Sequence, residues 1–198
     1  CQKTPINSDK IKTDFNMMEF TVDKQKFSLK ELPLIGEHNF KNYVSAILAA
    51  RFDGVSIDDS IKSLKTFKGV LRRLELVAET TKIKVYDDFA HHPTAIDFST
   101  RAIRRKYPDK KILGIVELGS NTMSSGHHKE YLINSFSSLD KTILLDHKKV
   151  YKYDQTHHEI ETLLLNLKET ISDYDIILVM TNKDSQKFIK PILEYIEK

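Results

Sequence analysis

The chain has 198 residues, 40% hydrophobic and 30% charged, the balance of an ordinary globular protein able to bury a core without disulfides. A net charge of +3, with 31 basic residues spread along the whole length, is too small to argue for nucleic acid. No apolar stretch approaches the ~20 residues of a membrane span, no signal peptide is visible, and the lone Cys1 leaves no internal disulfide or multi-cysteine metal site.

In chain order, alternating segments at 15–20 and 21–29 predict short antiparallel strands, and Leu32-Pro33-Leu34-Ile35-Gly36 predicts a last strand ending at a turn. A helix is expected from about His38 through Arg51, stopped by Gly54. A shorter one follows, capped by Ser56 or Asp58, with Ile61 and Leu64 on its apolar face. Phe67-Lys68-Gly69 ends it and gives the expected domain boundary: 1–68 as one domain and 69–198 as another. Beyond it, Leu74–Val77 and Lys82–Tyr86 predict paired strands around a turn at 78–81. Strands are then expected at Lys111–Val116, Lys141–Leu145 and Asp175–Met180. Between and after them, helices are expected at 94–106, 128–137, 158–170 and 186–197. This alternation predicts an α/β fold with a doubly wound, mostly parallel, Rossmann-like sheet. The dense basic run from Arg101 to Lys111 falls on a helix and its exit and reads as a solvated face.

Open α/β sheets bind ligands at the carboxyl ends of their strands. Three polar loops fall there: Asp87 to Thr94, Glu117 to Gly126, and Thr181 to Ser185. The first, Asp87-Asp88-Phe89-Ala90-His91-His92-Pro93, offers carboxylates and imidazoles that suit ribose hydroxyls, a metal-bound phosphate or a proton. The plainer readings are helix capping by the acidic pair, a surface histidine pair, a simple turn at Ser120-Asn121-Thr122 and a cap at Thr181-Asn182. Adjacent histidines do not easily point at one metal, so no metal site is assigned. His127-His128 and His157-His158 show no third partner and read as solvated. There is no phosphate-cradling Gly-x-x-x-x-Gly-Lys-Ser/Thr and no Gly-x-Ser-x-Gly elbow. The chain therefore reads as a domain with a polar binding edge and no catalytic residue of its own.

Gly36-Glu37-His38-Asn39-Phe40-Lys41-Asn42 resembles the G-x-H-N-x-x-N segment of the ATP-dependent Mur ligases. Phe67-Lys68-Gly69-Val70-Leu71-Arg72-Arg73-Leu74-Glu75 resembles their F-x-G-V-x-R-R-x-E segment, and Asp87 to Thr94 their D-D-Y/F-A/G-H-H-P-T signature. Glu117-Leu118-Gly119-Ser120-Asn121-Thr122-Met123 and Ile177-Leu178-Val179-Met180-Thr181-Asn182 are similar to loops of the family branch that handles a murein tripeptide. Gly119 stands where the family usually has arginine, and Lys183-Asp184-Ser185 replaces a glycine-rich stretch.

The resemblance implies a Mur ligase C-terminal domain preceded by the end of the central ATP-binding domain, cut from a longer cytoplasmic ligase and inactive alone. The Cys1 start fits such a cut or processing, with a mature lipoprotein as the lesser reading. The whole enzyme is expected to use ATP and Mg2+, the metal held mainly outside this chain, to join UDP-N-acetylmuramate to the tripeptide L-Ala-γ-D-Glu-meso-diaminopimelate in peptidoglycan recycling. The alternatives are the ligase that adds L-alanine and a non-enzymatic binding module. By the same resemblance, Asn39 and Asn42 face adenine, His38 shapes that pocket, and Arg73, Asp88 and His91 approach the nucleotide. Ser120, Asn121, Thr122, Thr181 and Asn182 contact the peptide. Neither nucleic acid nor membrane is implied as a partner.

Overall fold

The computed structural model describes residues 10–197. The Cys1 start lies outside them. The chain divides into two compact units, Cys1–Gly69 and Val70–Lys198.

In the first unit, β1 (Ile11–Asp14), β2 (Glu19–Val22) and β3 (Gln25–Ser28) form an antiparallel sheet in that order. The expected strand at 15–20 is in part a turn, because Met18 adopts a left-handed φ of 53° and donates to the Phe15 carbonyl. α1 (Glu37–Phe52) packs Phe40, Tyr43, Val44 and Ile47 against Phe20, Val22 and Leu29. α2 (Ile57–Lys65) is capped by Ser56, whose Oγ accepts from Asp59 N at 3.1 Å. Ile61 and Leu64 pack on the same core.

The strand expected at Leu32–Gly36 does not form. Pro33 has no N–H for a ladder, and α1 supplies the missing partners. Tyr43 Oη accepts from Leu34 N and Asn39 Nδ2 donates to Ile35 O, both at 2.8 Å.

The second unit is built on a sheet in the order β4-β5-β9-β6-β7-β8. β4 (Glu75–Glu79) runs antiparallel to β5 (Lys84–Asp88), with a bulge between Leu76 and Ala78. β6 (Ile112–Glu117), β7 (Lys141–Leu145), β8 (Thr156–His157) and β9 (Ile176–Met180) complete a parallel array with β5. β6 and β9 are buried at every position, as strands covered on both faces must be. Alternate residues Leu113, Ile115, Ile177 and Val179 meet Leu163 and Leu167 of α6 (Ile160–Thr170) and Phe188, Ile189 and Ile192 of α7 (Gln186–Ile196). Each of these fully buried side chains contributes roughly 1.5–3 kcal/mol. On the other face a Cβ at Gly114 would stand 2.4 Å from Leu139 Cδ1, so glycine is what lets Leu139 approach.

α3 (Pro93–Lys106) begins with proline at its first turn, where no donor is lost. The helix expected at 128–137 is α5 (Lys129–Leu132) continued by a 3-10 turn at Ile133–Phe136, and a further short helix, α4 (Asn121–Ser124), precedes it. Gly126, at φ 79°, separates α4 from α5. The basic run is only partly a solvated face. Arg104 is half-buried and donates to the carbonyls of Ser138, Pro108 and Lys110 and to Asp140 Oδ2.

Candidate functional site

Parallel register brings Asp88, Met180, Glu117 and Leu145 to one edge of the sheet: Asp88 pairs with Met180, Val116 with Met180, and Glu117 with Leu145. The polar loops expected at the functional edge therefore share that edge.

Asp88 is buried at 2% exposure, and its oxygens accept from Leu74 N (2.7 Å), Ala90 N (2.8 Å) and Ser99 Oγ (3.0 Å). Burial pushes its carboxyl above the usual range, while these donors and the Arg73 charge pull it back. The carboxylate expected to accept ribose hydroxyls thus accepts from three protein donors that hold the turn. That turn is strained, since Arg72 (φ 56°) and Leu74 (φ 49°) are both left-handed. Each such residue costs on the order of 1–3 kcal/mol and persists only where its surroundings over-determine it. Arg72 N donates to Glu75 Oε2 and Phe89 N donates to Arg72 O, which completes the clamp. Its product is Arg73, exposed and without a hydrogen bond among the described residues, presented between two strained neighbours. In the loop after β5, His91 is half-buried and its Nδ1 lies 2.9 Å from Phe89 O, which leaves Nε2 free.

The neighbouring loops are joined through buried charges. Glu117, 2% exposed, accepts from Thr181 Oγ1 and Lys187 Nζ, each at 2.6 Å, with His147 Nε2 at 3.7 Å. The Thr181 hydroxyl also accepts from Lys183 N at 2.9 Å. Thr181, expected to contact the peptide, is thus fully buried, with its hydroxyl bonded to Glu117 and Lys183 N. Arg72 Nη2 donates to Thr181 O, and its guanidinium lies 5.1 Å from the Phe89 ring. Arg72 Nε stands 3.3 Å from Asp87 Oδ2, which also accepts from Ser185 Oγ at 2.7 Å. Two buried atoms in this network, Arg72 Nε and Asp87 Oδ1, have no hydrogen-bond partner. Such orphans cost roughly 1–3 kcal/mol each. Sequence reasoning assigned no role to Arg72 or Lys187, and it read Asp87 and Ser185 only as members of polar loops. A glutamate ending an apolar strand was the available signal for Glu117, but nothing in the sequence marks a left-handed arginine.

Among the other expected peptide-facing residues, Asn121 and Thr122 are exposed, and Ser120 is half-buried. Ser120 caps α4, its Oγ accepting from Met123 N at 3.3 Å. Asn182 Oδ1 is buried without a partner beside Gly119. A Cβ at Gly119 would stand 2.8 Å from Lys183 Cγ and 3.0 Å from Asn182 Oδ1, so this loop has no room for a side chain at 119 as it stands.

In the first unit, His38, Asn39 and Asn42 lie on α1. Asn39, expected to face adenine, is buried, and its Nδ2 donates to Ile35 O. Asn42 is exposed and His38 half-buried.

The solvated reading of the histidine pairs also needs correction. His128 is half-buried, with its ring 4.3 Å from His92 and 5.0 Å from His127. Burial, His92 and His127 together lower its pKa. His157 lies in β8, and burial and His158 lower its pKa. Among the described residues no cluster of histidine, cysteine or carboxylate side chains is placed to hold a metal ion. No helix of the described residues is long and apolar enough to cross a membrane.

Residues 72–180 match the family described as Mur ligase, glutamate ligase domain. The chain belongs to the Mur ligase family. The Escherichia coli (strain K12) UDP-N-acetylmuramate–L-alanyl-γ-D-glutamyl-meso-2,6-diaminoheptandioate ligase is 36% identical over 185 residues, 87% of this chain and 40% of that protein. The UDP-N-acetylmuramate–L-alanine ligase of Cytophaga hutchinsonii is 32% identical over 180 residues, 82% of this chain and 37% of that one. A crystal structure of a murein peptide ligase from Psychrobacter arcticus superposes with a TM-score of 0.63 at 25% identity, covering 89% of this chain and 41% of that one. The chain thus spans about two fifths of the Mur ligases it matches.

Proposed function

We propose that this chain forms the C-terminal part of an ATP-dependent Mur ligase that joins UDP-N-acetylmuramate to a murein tripeptide in the cytoplasm, as a step of peptidoglycan recycling. The likeness to the Escherichia coli tripeptide ligase over 185 residues carries the reading. The residues left uncommitted at the sheet edge suit it. Arg73 is an exposed cation for phosphate or ribose oxygens, and His91, in the loop after β5, offers a free Nε2. On the amine side, Ser120, Asn121, Thr122 and the side chain of Asn182 line the neighbouring loops, with the exposed ammonium of Lys183 added as a partner for a peptide carboxylate. Asp88 and Thr181 serve as supports of these loops rather than as contacts. In the first unit, Asn42 and His38 are the α1 residues assigned to the nucleotide.

ATP, when bound, supplies the phosphoryl group that activates the muramyl carboxylate. The work of this chain is to present the amine and to exclude water, since hydrolysis of an activated acyl group is the competing loss. Mg2+ is assigned mainly to parts of the ligase outside this chain.

The test is ligation by the intact protein with ATP, UDP-N-acetylmuramate and either the tripeptide or L-alanine, followed by product mass. A tripeptide adduct is expected. An L-alanine adduct alone would support the sister reading that the Cytophaga hutchinsonii relative keeps open. The 198-residue chain by itself is expected to give no product, and turnover by it would contradict the proposal.

A further inference from the structure

Arg72 is the point where the nucleotide-facing and amine-facing loops meet. Its backbone carbonyl accepts from Phe89 N, in the loop that carries His91, and its neighbour is Arg73. Its Nη2 donates to Thr181 O, the residue before Asn182 and Lys183. Its Nε stands 3.3 Å from Asp87 Oδ2 without the alignment of a hydrogen bond. The two unpartnered atoms of this contact are complementary: Arg72 Nε is a donor, and Asp87 Oδ1 is an acceptor on the carboxylate it already faces. Rotation of the guanidinium toward Asp87 would satisfy both in a bidentate pair. It would also release the Thr181 carbonyl. The observed setting caps the amine-side loop and leaves the ion pair misaligned; a second would close the ion pair and give up the Thr181 carbonyl.

We propose that Arg72 is a positioning residue that couples nucleotide binding to the amine-side loop by exchanging its guanidinium between Thr181 and Asp87. The inference rests on the functional reading above. A ligand shifts such a pair of settings only through differential affinity, and the coupling is reciprocal. Nucleotide at Arg73 and His91 therefore changes peptide affinity by the same factor by which peptide changes nucleotide affinity. Lysine at 72 keeps the charge but lacks the fork, so it reaches one partner at a time.

The experiment uses the intact protein. Calorimetry gives the affinity for a non-hydrolysable ATP analogue with and without the tripeptide, alongside the ligation assay and the thermal midpoint. In the parent the tripeptide is expected to change analogue affinity by about fivefold or more, within the usual range of coupled sites. In Arg72→Lys, and independently in Asp87→Asn, that ratio is expected to fall below about twofold while ligation remains detectable. A variant that loses stability but keeps the parent ratio would make Arg72 a purely structural residue and overturn the inference. A parent that ligates without any coupling overturns the inference alone. A parent that does not ligate either amine overturns the functional reading with it.

Discussion

The two ends of the second unit's sheet treat charge in opposite ways. At the edge where β7 and β9 begin, Asp140 accepts from Ile112 N and Arg104, and Asp175 accepts from Lys111 N and Lys110. These groups are partly exposed and well aligned, and backbone donors share in the pairing. At the edge where β5, β6 and β9 end, the carboxylates of Asp87, Asp88 and Glu117 are buried, a turn is strained, and two atoms of an ion pair are unmatched. One end is arranged for stability. The other tolerates misfit, which is where an α/β sheet binds ligands.

The sharpest way to break this contrast is Asp88→Ala. It strands Leu74 N, Ala90 N and Ser99 Oγ, and the loss is expected to be about 3 kcal/mol, read by chemical denaturation. If the variant instead kept its stability and lost only nucleotide affinity, Asp88 would be a ligand after all. Arg104→Met at the opposite edge is expected to cost about 1–2 kcal/mol, since its bonds are to partly exposed groups, and to leave ligation by the intact protein unchanged. A fall in kcat there would erase the division of labour.

The same contrast has opposite signs in acid. Asp140 is partly buried, which alone would raise its pKa, but the Ile112 N–H and Arg104 outweigh burial and hold it low. Asp175 is held low by the Lys111 N–H and Lys110. Their stabilisation is complete above about pH 4 and is lost as pH falls through their lowered values. Asp88, raised by burial, does the reverse: its contribution is present below about pH 4 and lost as pH rises through its raised value. Between pH 6 and 3, Asp140→Asn is therefore expected to flatten the acid loss of the thermal midpoint and Asp88→Asn to steepen it.

A smaller effect belongs to His128. Its lowered pKa makes the 121–132 segment less stable as pH falls below about 6.5, because the unfolded chain then binds the extra proton. The fall in thermal midpoint from pH 7.5 to 5.5 is expected to be smaller in His128→Gln than in the parent. An identical fall in the two proteins would remove His128 as its cause.

Much of the frame was legible because buried parallel strands announce themselves. Lys141–Leu145 is read to the residue, and Ile176–Met180 differs from its expected bounds by one position. The edge was legible as a location, since polar loops must follow apolar strands. The directions of its side chains were not. Asp88 and Thr181 look like ligand contacts as residue types, yet both turn inward because unpaired backbone and buried partners nearby need them. β8 is too short to show a period, and Leu32–Gly36 failed because its hydrogen bonds go to side chains of α1. Arg72 was invisible for another reason: its importance lies in a left-handed backbone and in contacts 15 and 109 residues away in sequence, to Asp87 and Thr181.

The close fit at Gly119 has an evolutionary consequence. Because Lys183 Cγ lies where a β-carbon at 119 would need space, the effect of substituting one position depends on what stands at the other. A larger residue at 119 requires the lysine stem to swing away or shorten, so the side chains at 119 and 183 share one space.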